Sequence, residues 1–110
     1  MPVQIFFADE QLRASYEKLK QGDADEKELA AFLGRAFDDI EKNPTCGIQI
    51  PQRLIPKEYK AKHSVSNLWK YNLPNAWRLL YTLKGDRIEV VAIILEWFDH
   101  KNYERRFGYG

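Results

Sequence analysis

The stretch Leu68-Trp69-Lys70-Tyr71-Asn72-Leu73-Pro74-Asn75-Ala76-Trp77-Arg78-Leu79-Leu80-Tyr81-Thr82-Leu83 decides the fold. In residues 68–73, Trp69, Tyr71 and Leu73 alternate with Lys70 and Asn72, the period of a half-buried strand. Pro74-Asn75 makes a turn, and residues 77–83 read as the next strand. Lys84-Gly85-Asp86-Arg87 supplies a tight hairpin, after which residues 88–97 form a third strand. Within it, residues 90–95 are apolar on both faces. That strand is therefore expected in the middle of a sheet, covered by helices on one side and by another layer on the other.

On the N-terminal side of this meander the period changes. Residues 3–7 are β-branched and aromatic and read as a short strand, followed by Asp9 as a helix N-cap ahead of Leu12, Tyr16 and Leu19. Gln21-Gly22-Asp23-Ala24 interrupts that helix, and Asp25 with Glu28 three residues on reads as a capping box for a second one. Leu29, Phe32, Leu33, Ala36, Phe37 and Ile40 then recur at three- and four-residue steps, the buried face of a helix. Asn43-Pro44 should end it. The prolines at 51 and 56 and the lysines at 57, 60 and 62 predict a long irregular connection over residues 46–66. Residues 99–107 read as a polar and aromatic tail of one or two helical turns. The expected architecture is a single α+β domain over residues 1–110. Two N-terminal helices pack on an antiparallel sheet that includes the N-terminal strand.

Composition agrees with such a domain. With 110 residues, 45% hydrophobic and 30% charged, the chain belongs with folded rather than disordered sequences. A lone cysteine, Cys46, excludes both an internal disulfide framework and a multi-thiolate metal site. Neither a signal peptide nor a membrane span is read in the sequence, so a soluble cytoplasmic protein is expected. The net charge of +1 conceals an asymmetry: six basic and ten acidic residues lie in residues 1–47, against eleven and six in residues 48–110. The second half is the anion-binding candidate, although a basic layer beside an acidic one also serves solubility.

There is no Gly-rich phosphate loop, zinc-ligand spacing, nucleophile elbow or histidine cluster, so no cofactor and no metal are expected. What remains in the basic half is Lys70, Arg78, His100, Lys101, Tyr103, Arg105 and Arg106. Such a set suits metal-free cleavage of a ribose phosphodiester. One group takes the 2′-hydroxyl proton, cations stabilise the charge on phosphorus, and another group protonates the leaving oxygen. Each residue also has an ordinary reading. Lys70 and Arg78 serve equally as solvent-facing strand charges, His100 as a surface histidine, and Tyr103 with Phe107 as a pin for the tail. His63 reads as structural or exposed, and Trp69, Trp77 and Trp97 read as core.

The segment Asn67–Tyr81, with its aromatic-Arg-hydrophobic-hydrophobic-Tyr strand, hairpin and apolar strand, followed by Asp99-His100-Lys101-Asn102-Tyr103-Glu104-Arg105, resembles the RelE/ParE toxin superfamily of type II toxin–antitoxin systems. The resemblance implies a ribosome-dependent mRNA endonuclease that leaves a cyclic phosphate and a free 5′-hydroxyl. It also implies a cognate antitoxin, held in a toxin–antitoxin hetero-oligomer, as a partner beside the ribosome and mRNA. By position, Arg78 would stabilise the phosphorane and Lys70 would contact the scissile region. His100 or Tyr103 would carry protons, and Lys57, Lys60, Lys62, Lys101 and Arg105 would bind RNA. The fold is shared by gyrase poisons of the ParE type and by non-catalytic antitoxin-binding members. The set Lys70, Arg78, His100 and Tyr103 favours the nuclease, because a gyrase poison does not need it.

Overall fold

The computed structural model describes residues 3–86 and 88–108. In chain order the elements are β1 (Gln4–Phe7), α1 (Glu10–Lys20), α2 (Ala24–Lys42), β2 (Ile48–Gln49), a 3-10 turn (Gln52–Leu54), α3 (Lys57–His63) and β3 (Trp69–Asn72). A second 3-10 turn (Pro74–Ala76), β4 (Arg78–Gly85), β5 (Val90–Phe98) and α4 (His100–Phe107) complete the chain. The five strands form one sheet in the order β1-β5-β4-β3-β2. The fold is α+β, as expected, with two differences. The sheet is mixed rather than antiparallel, because β1 lies parallel to β5, with Gln4 opposite Val91 and Phe7 opposite Ile94. Among the described residues there are four helices, standing on both faces: α4 forms the helical turns expected at the tail, whereas α3 lies in the connection and was not expected.

Local chemistry explains most element boundaries. The Asp9 carboxylate accepts from the Leu12 N–H at 2.8 Å and starts α1. The capping box of α2 is Asp23 with Glu26, two residues earlier than Asp25 with Glu28. Both pairs have the same spacing, and the break at Gly22 selects the earlier one. Asn43 closes α2, as the Asn-Pro pair predicted. Between β4 and β5 the chain reverses at Gly85, whose φ of +138° and close approach to the Glu89 carbonyl leave no room for a side chain. Asp86 accepts from the Ile88 and Glu89 amides to close this turn, while Arg87 of the expected hairpin lies outside the described residues.

The connection expected to be irregular contains regular structure. Its prolines mark boundaries rather than disorder: Pro51 precedes the 3-10 turn and Pro56 precedes α3, where the missing N–H is harmless. Tyr59 anchors α3 in the interior at 2% exposure.

Two cores result, one on each face of the sheet. On the first face Leu29, Leu33, Ala36 and Ile40 of α2 meet Leu79, Tyr81, Ala92 and Ile94. Trp69, Trp77 and Trp97 pack against this core, as the sequence indicated. On the second face Ile55, Tyr59, Leu68, Leu80, Leu95, Phe98 and Tyr103 form the layer contributed by the connection and α4. The bilaterally apolar β5 is thus covered on both sides. A bulge in β5, opposite the Leu80–Tyr81 step, shifts its register. After it Glu96 and Phe98 lie opposite Leu80 and Arg78, on the second face. Among the described residues no helix is long and apolar enough to cross a membrane.

Candidate active site

Strand pairing builds the site. Lys70 on β3 lies opposite Leu80 on β4, and Arg78 lies two residues before Leu80, opposite Phe98 of β5. Because side chains two apart on a strand share a face, Lys70, Arg78 and Phe98 all emerge beside the second core. There α4 lays Tyr103 across them. The Asp99 carboxylate starts α4 by accepting from the Asn102 N–H at 2.9 Å. Phe98 meets the Tyr103 ring edge to face at 5.9 Å, and Phe107 stacks on it at 4.6 Å.

The Lys70 ammonium stands 5.2 Å and the Arg78 guanidinium 5.8 Å from the Tyr103 ring centroid. Both are within cation–π range of one ring. The two cations are therefore at most about 11 Å apart. Among the described residues no carboxylate lies within 4.0 Å of either cation. Arg78 donates to the Trp77 carbonyl at 3.0 Å, which fixes one arm of the fork and leaves the rest of the group for another acceptor. An anion placed between Lys70 and Arg78 would relieve their mutual repulsion.

Tyr103 itself is only 4% exposed. Its ring braces the two cations, a positioning role that its place in the sequence did not reveal. His100 occupies the first turn of α4, three residues before Tyr103, and its side chain is 53% exposed. Its Nε2 faces the Glu104 carboxylate one turn on, which holds the imidazole in a fixed orientation.

The remaining predicted contacts divide between two helices. Lys57, Lys60 and Lys62 are exposed on α3, and Lys101 and Arg105 are exposed on α4. Sequence reasoning missed what joins these helices. The Tyr59 hydroxyl of α3 donates to the Glu96 carboxylate of β5, and the Arg106 guanidinium of α4 reaches the same carboxylate at 3.6 Å and Glu58 at 3.9 Å. Burial, and then the bond to Glu96, hold the Tyr59 phenol well above the ordinary tyrosine range. His63 ends α3 half-buried, and burial together with Lys62 lowers its pKa.

No group of three or more His, Cys, Asp or Glu side chains gathers among the described residues. The chain matches no protein-family model, no curated protein and no solved structure.

Proposed function

We propose that this protein is a RelE-like toxin that cleaves mRNA on the ribosome and is silenced by a cognate antitoxin. The observation that carries the reading is the pair Lys70 and Arg78, with no carboxylate within 4.0 Å among the described residues and both set against one buried tyrosine. The arrangement of α1 and α2 on one face of a meander supports the RelE-like reading of the fold.

In this reading the scissile phosphate sits between Lys70 and Arg78. The 2′-hydroxyl oxygen attacks phosphorus, its proton leaves to a base, and the bond to the 5′-oxygen breaks as that oxygen gains a proton. The products are a 2′,3′-cyclic phosphate and a 5′-hydroxyl. Arg78 and Lys70 stabilise the extra negative charge of the phosphorane. His100 carries the proton, because its side chain is exposed and faces the Glu104 carboxylate, and imidazole is the side chain suited to proton transfer at physiological pH. Tyr103 positions the two cations. Lys60 and Lys62 of α3, with Lys101, supply the charge that meets ribosomal RNA, and Lys57 and Arg105 add to the RNA-binding charge. Neither a metal nor an organic cofactor enters this scheme.

The test is induced expression of the wild type and of Arg78→Ala/His100→Ala in a bacterial host, with growth followed and mRNA ends mapped by primer extension. Arrest with in-frame cleavage that vanishes in the double variant is the expected result. Arrest with intact mRNA would overturn the nuclease in favour of a gyrase poison, and absence of arrest would overturn toxicity itself.

A further inference from the structure

A cleft of about 760 Å³ opens between α4 and the 3-10 turn with the start of α3. Arg53, Lys57, Asn102, Arg105 and Arg106 line it. Two carboxylates, Glu58 and Glu96, line it as well, and both are engaged by Arg106. Glu96 further accepts the Tyr59 hydroxyl. Arg106 offsets one of these two negative charges, and the four cations that line the cleft exceed its carboxylates by two. Among the described residues Arg53, Lys57 and Arg105 have no carboxylate within 4.0 Å, which leaves three cations facing one concave space.

Phe98 forms part of the cleft wall, and the same residue lies opposite Arg78 in the sheet and against the Tyr103 ring. The cleft and the Lys70/Arg78 pair are therefore two cationic sites joined through Phe98. Two adjacent cationic sites suit a flexible single strand, whose backbone a positively charged groove tracks. Guanidinium forks such as those of Arg53 and Arg105 match phosphate oxygens two at a time.

We propose that this cleft is a second subsite for single-stranded RNA, gripping phosphates of the strand that flank the one held between Lys70 and Arg78. The assignment rests on the nuclease reading above. It gives Arg53, which the sequence did not mark, a direct part in substrate binding, and it directs Lys57 and Arg105 to the message. Lys62 is not part of this grip; it lines a separate cleft with Asp9 and His63.

The test uses the purified protein and a labelled 2′-O-methyl RNA 12-mer, which binds without being cleaved. Anisotropy titrations between about 50 and about 200 mM salt compare the wild type with Arg53→Ala/Arg105→Ala. For a single strand each phosphate contact contributes about fivefold at 0.1 M salt, so the double variant should bind about 25-fold more weakly, with a salt slope shallower by about 1.4. Equal affinity and slope would overturn the subsite. So would displacement of the RNA by poly-glutamate at equal charge concentration, because the cleft would then serve an acidic protein segment. Cleavage on translating ribosomes, measured in parallel, judges the nuclease separately: RNA binding lost in the variant with no cleavage by the wild type upholds the cleft and removes the reaction.

Discussion

The Tyr59 hydroxyl donates to the Glu96 carboxylate across 37 residues of chain, tying α3 to β5. The donor is buried and the acceptor is charged, so the bond is of the stronger kind. Tyr59→Phe should lower unfolding stability by about 1.5 kcal/mol, read from urea denaturation. Glu96→Gln should cost less, because the amide still accepts from the phenol while losing its pairing with Arg106. Equal losses in the two variants would show that Arg106, and not the phenol, dominates this junction.

Tyr103 offers a sharper test of the candidate site. If its ring braces Lys70 and Arg78, Tyr103→Phe keeps both cation–π contacts and should retain most growth inhibition. Tyr103→Leu removes the ring and should lose at least about tenfold, as a displaced charge costs about 1.4 kcal/mol or more of transition-state stabilisation. A Phe variant as inactive as the Leu variant would instead make the hydroxyl essential and return the proton-carrying role to Tyr103.

Gly47 controls the position of Lys70 from behind. A Cβ there would stand 2.7 Å from the Lys70 carbonyl oxygen and 2.7 Å from the Tyr81 hydroxyl, both too close. The Gly47 amide meanwhile donates to that hydroxyl at 3.1 Å, and the hydroxyl donates to the Pro44 carbonyl at 2.8 Å. Gly47→Ala should push β2 off β3, costing about 1–3 kcal/mol in a denaturation experiment. It should also reduce toxicity without touching any cationic side chain.

Stability should fall in alkali. Burial, and then the hydrogen bond to Asp39, push the Tyr71 phenol from its ordinary 10.0 up to about 12, and burial raises Tyr81 as well as Tyr59. These phenols hold their protons more tightly folded than unfolded, so their contribution is complete below pH 10. It is lost as pH rises from there through the folded values. Urea midpoints measured from pH 8 to 12 should decline above 10, and Tyr71→Phe should decline less steeply.

In the first core, Leu33 is fully buried on α2 between the helix and the sheet. Leu33→Ala should cost about 2–5 kcal/mol. Leu54→Ala, at a residue 41% exposed, should stay within about 0.5 kcal/mol.

Periodicity made α2 and the three-strand meander legible, because each buries one face and its sequence carries that face's period. Nothing in a period names a strand's neighbour, so the parallel pairing of β1 with β5 was not readable. In α3, seven residues carry five charged or basic side chains and one buried tyrosine, too little apolar repetition to reveal a helix. The site was legible as residue types but not as geometry. By strict alternation Glu96 would share the face of Ala92 and Ile94. The bulge moves it to the other, where it meets Tyr59 and Arg106. That shift also puts Phe98 opposite Arg78, which no count of residues along β5 anticipates.

The pairing of β1 with β5 also bears on how the protein is made. The first strand has no partner until the last one emerges, since its neighbour in the sheet lies almost the whole chain away. While translation proceeds, α1 and α2 carry an apolar stripe with no sheet to cover it, and contacts of such long range close late. A nascent chain stopped before β5 therefore has neither the sheet nor the Phe98 that backs Arg78. If the protein attacks ribosomes, a chain that lacks β5 does not.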